Sequence, residues 1–276
     1  MTPRHAARRT GRTTPLLVGG LVIGAAAMLG WLAMQRPNDP AELVVYCAAG
    51  ARPAVEAIAQ SYHGETGVHV TLQFGPSGGL ETQIRLSDRG DLFLPAAESP
   101  YLDRTRADGT VSTVTPLAQQ RLVIGLAPRS AAKIGSLAEL IDSGLAYGLC
   151  NEQAAAGYYA RRSLEPLGLW KATAEASTAT LPTVTELAEA VRYGGRLEAA
   201  IVWDATAIEF GLRSIDVPEL SGAIAKISVG VLRSARDRVA AERFVAYLAA
   251  IDRGQATFIA HHYAGVGGLA WRDPAE

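Results

Sequence analysis

Cysteine is almost missing: Cys47 and Cys150 are the only two in 276 residues. Neither has a metal-ligand spacing around it, which excludes a zinc finger or knuckle. So sparse a set also excludes a disulfide-built scaffold. Both follow an apolar run and so sit at strand ends. One Cys47–Cys150 bridge and two buried free thiols both stay open, the thiols being the plainer reading. No cysteine closely follows the N-terminal apolar run, which argues against a lipid-modified cysteine there. Charge of one sign is missing too. Residues 1–36 carry Arg4, Arg8, Arg9, Arg12 and Arg36 and no acid. Of 26 basic residues that leaves 21 against all 27 acids, a net of −6 for the body. An acidic body argues against nucleic acid as a partner. It does not argue against a small anion, which backbone N–H groups can hold without lysine or arginine. Internal repeats are lacking, and so is low complexity beyond the first 40 residues.

What is present begins with PLLVGGLVIGAAAMLGWLAM at 15–34, twenty residues without a charge. A helix of that length spans about 30 Å, a bilayer core. The basic stretch 1–14 then stays cytoplasmic and the body lies outside. An uncleaved anchor is favoured, because a signal peptide has a shorter apolar core. Ala25-Ala26-Ala27 keeps cleavage open, and Arg8-Arg9 weakly suggests twin-arginine export. Residues 35–41 read as a polar tether.

From Glu42 onward, 49% apolar and 19% charged composition belongs to a globular chain. Its patterning alternates strand and helix. Strands are expected at 43–49, 69–74, 91–97, 121–128, 145–150, 199–203 and 226–232. Helices are expected from Pro53, at 80–87, 136–144, 155–169, from Thr183, and at 237–251 and 253–262. GPSGG at 75–79 reads as a glycine-rich turn, and Ser99-Pro100 as a cap followed by proline at the first helical position. Thr183-Val184-Thr185-Glu186 fits a capping box. This rhythm predicts an α/β fold with parallel strands and helices on both faces. Two lobes are expected: 42–121 with 225–276 returning to it, and 122–224. Ligands in such sheets bind at strand carboxyl ends, where several helices also begin.

Eight segments, in order, resemble the molybdate-binding proteins of bacterial ABC importers. They are LVVYCAAGARPAVEAIAQSY, FGPSGGLETQI, GDLFLPAAESPYLD, PLAQQRLVI, AGYYARRSLEPLGLW, PTVTELAEAV, AAIVWDA and AAERFVAYLAAIDRGQATFIAHHYAGV. The resemblance covers about residues 43–268. It implies a type II periplasmic-binding-protein fold, with a tetrahedral oxyanion in the inter-lobe cleft, molybdate or tungstate first and sulfate next. Carried over by position, Gly50, Ser77, Ala96, Val184 and Trp203 supply the donors. Ser77 gives a hydroxyl and an amide, and Ala96 and Val184 give amides. Two positions depart from the family, which has serine at Gly50 and tyrosine at Trp203. Thr183 or Thr185 can replace the lost hydroxyl, and an indole N–H can replace a phenol as a donor. The resemblance further implies an ABC permease and its ATPase as partners. It implies capture and no catalysis. From the residues themselves, no cofactor and no bound metal cation are expected, membrane attachment runs through 15–34, and nothing calls for more than a monomer. A membrane-tethered oxyanion sensor of the same fold is the alternative.

Sharper readings compete at single motifs. Gly75-Pro76-Ser77-Gly78-Gly79 matches G-x-S-x-G, and Asp204 and His261 or His262 follow in hydrolase order, so a serine hydrolase using Ser77 stays open. Asp204 otherwise caps a turn or pairs with an arginine. Arg52 either adds charge at the site or is a solvated surface residue. Tyr158-Tyr159 resembles the tyrosine pairs of ferric-ion binders, without the clustered carboxylates of a hard-metal site.

Overall fold

A computed structural model describes residues 42–273. The basic N-terminus, the apolar segment 15–34 and the tether lie outside the described residues. No helix among the described residues is long and apolar enough to cross a membrane.

Among the described residues ten strands, β1 (Glu42–Ala48), β2 (His69–Gly75), β3 (Leu92–Leu94), β4 (Val111–Leu126), β5 (Tyr147–Cys150), β6 (Ala179–Leu181), β7 (Ala199–Trp203), β8 (Arg213–Ile215), β9 (Ile224–Leu232) and β10 (Ala264–Gly265), form one mixed sheet in the order β2-β1-β3-β9-β4-β7-β5-β6, with β8 and β10 attached to β4. The first half begins with β1 (Glu42–Ala48), α1 (Arg52–Thr66), β2 (His69–Gly75), α2 (Ser77–Ser87), β3 (Leu92–Leu94) and α3 (Tyr101–Ala107). In β1, Leu43, Val45 and Cys47 face one core and Tyr46 and Ala48 the other. Burial on both faces suits a strand paired in parallel on both sides, and β1 pairs in parallel with β2 and β3. Val55, Ile58 and Tyr62 of α1 pack over its first face, beside Phe244 of α9 (Arg238–Ala249) and Phe258 of α10 (Gly254–Ala260). Leu80 and Ile84 of α2 cover the second.

The long β4 (Val111–Leu126) joins the halves. Up to Arg121 it pairs antiparallel with β9 (Ile224–Leu232), and from Leu122 with β7 (Ala199–Trp203). Beyond it come α4 (Leu137–Asp142), β5 (Tyr147–Cys150), α5 (Ala155–Leu164), α6 (Trp170–Ala176), β6 (Ala179–Leu181) and α7 (Val184–Arg192). After β7 follow α8 (Asp204–Glu209) and β8 (Arg213–Ile215), and β10 (Ala264–Gly265) closes the order. β5 pairs in parallel with β6 and β7.

Three expectations are corrected. The sheet is not parallel throughout: two parallel triads meet through antiparallel β4 and β9. GPSGG is not a turn before a helix, because α2 already starts at Ser77 and carries both following glycines in its first turn. The helix after Ser99-Pro100 begins one residue later, at Tyr101, with Pro100 itself in the capping position. Thr183 does cap α7, accepting from Glu186 N–H at 3.1 Å.

Cys47 and Cys150 are free and buried in separate cores, so the disulfide reading falls. Burial raises both thiols well above their ordinary range, leaving little thiolate to react. A thiol-reactive disulfide reagent should therefore modify neither cysteine in the native chain and both after denaturation. Reaction under native conditions would contradict the burial.

Candidate functional site

Six chain turns meet where strands end. Gly50 follows β1 in a short 3-10 turn at Ala49–Ala51, and Ser77 follows β2 at the first position of α2. Ala96 lies beyond β3, and Ala154–Ala156 open α5 beyond β5. Thr183 and Val184 open α7, and Trp203 ends β7. Together they enclose a cavity of about 20 Å³. One water needs about 10–15 Å³ of such space, so the cavity suits a compact group of few atoms. All six residues expected from the sequence line it: Gly50, Ser77, Ala96, Thr183, Val184 and Trp203. No lining side chain is ionisable.

What the walls offer is donors. The first N–H groups of a helix have no acceptor within it, and the helix dipole makes that end positive. α2, α5 and α7 all begin at this wall. Ser77 is 1% exposed, and its Oγ accepts from the Ala96 N–H at 3.1 Å. The hydroxyl proton of Ser77 is left to donate, whereas the Ala96 amide, expected to face a ligand, is spent on Ser77. Gln120 Nε2 donates to the Ala96 carbonyl at 2.7 Å and fixes that segment. Thr183 accepts as a cap and so keeps its own proton for donation. The Trp203 ring meets the Tyr159 ring edge-on at 5.6 Å between centroids, which sets its plane. Residues 154–156 were missed from the sequence, although a small-residue run opening a helix after a strand was the available signal.

The two halves touch across the cavity. The Gly78 N–H of α2 donates to the Gln153 carbonyl at 2.8 Å. A β-carbon on Gly50 would lie 2.8 Å from Val184 Cγ1. The Gly50 carbonyl accepts from Tyr263 O–H at 2.8 Å. Burial pushes that phenol far up, so it stays a donor. Outside the cavity a wider groove of about 510 Å³ shares Gly50, Pro76 and Thr183 with it. Arg52 lies in this groove, not in the cavity, over the Phe74 ring at 3.9 Å and 3.4 Å from Glu56.

Residues 43–264 match the family described as bacterial extracellular solute-binding protein. The chain belongs to that family. Its resemblance to molybdate-binding proteins stands beside this: the molybdate-binding protein of Mycobacterium tuberculosis is 26% identical over 251 residues, covering 88% of this chain and 94% of that one. The periplasmic molybdate-binding protein of Azotobacter vinelandii superposes with a TM-score of 0.67 at 19% identity, covering 80% of this chain and 98% of that one. The periplasmic binding protein AfuA of Actinobacillus pleuropneumoniae, solved with fructose-6-phosphate, reaches 0.71 at 14% identity, covering 85% and 88%. At such identities the structural likeness carries the mixed α/β fold of periplasmic binding proteins.

The remaining motifs fall into place around a solute-binding fold. Asp204 pairs with Arg121, whose backbone N–H and Nε donate to it at 3.1 and 3.3 Å. His261 meets Glu209 at 3.1 Å. Ser77, Asp204 and His261 therefore have separate partners, and among the described residues no hydrogen bond links Ser77, Asp204, His261 or His262 to one another. Tyr158 and Tyr159 pack on each other, on Tyr101 and on Trp203, forming an aromatic layer behind the cavity. No group of three or more His, Cys, Asp or Glu side chains suited to a metal ion occurs among the described residues.

Gly50→Ala should lower stability by about 1–3 kcal/mol, the usual scale for overpacking, because the β-branched Val184 has little rotamer freedom with which to retreat. A denaturant midpoint equal to that of the wild type would show that Val184 does retreat.

Proposed function

We propose that this protein captures a small tetrahedral oxyanion, molybdate or tungstate before sulfate, and hands it to an ABC permease and its ATPase. One observation carries the reading: a cavity of about 20 Å³ at the starts of three helices, lined by hydroxyl, indole and backbone groups and by no charged side chain. A fully ionised anion accepts hydrogen bonds at every oxygen, so a wall of donors matches it without a counter-ion. Hydrogen bonds to an ionised group are about twice as strong as neutral ones. The molybdate-binding names among the relatives support the choice of ion.

In this reading Gly50, Ser77, Thr183, Val184 and Trp203 contribute donors, and Ala96 positions Ser77. Residues 42–121 and 225–276 form one lobe and 122–224 the other. The change of partner along β4 at Arg121/Leu122 marks one crossing between them. The anion contacts both lobes and so stabilises the closed form over the open one. Closure presents the surface that the permease reads. Residues 15–34 hold the protein at the outer face of the cytoplasmic membrane.

Calorimetric titration of the purified chain with molybdate, tungstate, sulfate and phosphate tests the ligand. Tight binding of molybdate or tungstate with weak sulfate binding is expected. Absence of heat with all four, from folded protein, would sink the oxyanion reading. Ser77→Ala should cost about 1–3 kcal/mol of binding, the scale for losing a hydrogen bond to a charged group. Unchanged affinity in the folded variant would remove Ser77 from the site.

A further inference from the structure

Arg52 is the first residue of α1, where the helix dipole is positive and a cation is unfavourable. No acidic residue in the first turn offsets it. Local helix chemistry therefore gives no reason for an arginine here. Its guanidinium lies 3.9 Å from the centroid of the Phe74 ring and 3.4 Å from Glu56, and the side chain stays 49% exposed. Stacking on Phe74 holds the charge at the wall of the groove that borders the cavity. Among the described residues lining that groove, Arg52 is the one basic side chain, and Glu186, Glu189 and Glu209 are the acids. Glu186 and Glu189 are three apart on α7, so they share a face. Neither has an ion-pair partner among the described residues. Glu209 meets His261 at 3.1 Å. An anion approaching the cavity thus passes one cation and three carboxylates. The donors inside the cavity do not act that far out. The field of a helix end falls off within one turn, and a hydrogen bond acts only at contact. A full charge acts over about 10 Å at 0.1 M salt.

We propose that Arg52 is the capture residue of this protein, the full positive charge that draws the oxyanion past a mouth of carboxylates to the uncharged cavity. The assignment rests on the oxyanion reading of the site and adds the step before binding. Arg52 lies in the groove and not in the cavity wall, so it acts on the approaching ion rather than on the bound one. Its effect therefore belongs to the association rate and fades with salt. A packing role for the Phe74 stack has no such salt dependence.

The test uses the full chain and whichever of molybdate, tungstate, sulfate and phosphate binds it most tightly. Stopped-flow mixing at low and high salt gives the association and dissociation rates. Arg52→Gln should associate about 2- to 5-fold more slowly at low salt, the scale for a dianion about 10 Å from one charge in water. The difference should shrink at high salt, and the dissociation rate should stay at the wild-type value. Arg52→Lys, which keeps the charge, should associate close to wild type. Glu189→Gln, which leaves Arg52 untouched, should associate about 2-fold faster, and it decides the matter if R52Q does not fold. A wild-type association rate in R52Q, or an E189Q no faster than wild type, would overturn the assignment while leaving the oxyanion reading intact. A change confined to the dissociation rate would overturn it by placing Arg52 on the bound ion. Equal slowing in R52K and R52Q would overturn it in favour of the Phe74 stack. A wild-type chain that binds none of the four anions would overturn the reading of the site and this assignment together.

Discussion

Turns from opposite halves of the sheet come close enough that glycine stands in each of two contacts. Gly50 lies against Val184, and Gly78 against Gln153, whose backbone oxygen would sit 3.1 Å from a β-carbon there. The Gly78 N–H to Gln153 carbonyl bond seals the second contact. These approaches bring the starts of α2, α5 and α7 to one small space. Without them the helix ends would face water, where their unpaired N–H groups are solvated and their dipoles screened. The cavity thus owes its character to backbone proximity more than to any side chain. For the same reason it needs no charged residue to be positive in effect.

The pattern of strands and helices was readable because their ends carry chemistry. Proline at the start of α1, the threonine cap of α7 and glycines after β1 and β2 mark where strands give way to helices, and the cavity lies at those places. The five residues carried over by resemblance, and Thr183 beside them, came together because each lies just after a strand or at a helix start. The first part of β4 was not readable. Ser112, Thr113 and Thr115 give it no apolar alternation, and Pro116 reads as a strand breaker. The structure accommodates Pro116 at a register shift against β9, where a ladder donor is not required. The parallel-sheet expectation failed for the same reason, since β4 and β9 are the strands that turn the sheet antiparallel.

Within the site, sequence showed which residues are present but not which donors are already engaged. Ala96 illustrates the difference. Its amide is at the cavity wall, yet it donates to Ser77 Oγ, which turns Ser77 into a donor with a fixed orientation. Ala96 therefore acts through Ser77. The Asp204 carboxylate has the converse history. Beside Trp203 it looks well placed for chemistry, but Arg121 and the Ala205 N–H hold it at the crossing between the halves. Its bond to the Arg121 backbone ties the end of β7 to the residue at which β4 changes partner, so the Trp203 turn is anchored to the crossing itself.

The two departures from the family pattern have one physical consequence in common. Replacing a serine hydroxyl by Gly50 and a tyrosine phenol by Trp203 removes groups that can both give and accept a hydrogen bond. What remains at those positions is an amide and an indole N–H, which only give. A site with fewer acceptors would favour a fully ionised oxyanion over one that carries a proton on the oxygens it presents, because that proton meets fewer partners. Ser77 and Thr183 keep hydroxyl oxygens, each of which already accepts one hydrogen bond, from Ala96 and Glu186. For the proposed oxyanion, such a wall would select for charge state first. Size acts second, through a cavity that Val184 and the aromatic layer of Tyr159 and Trp203 keep small.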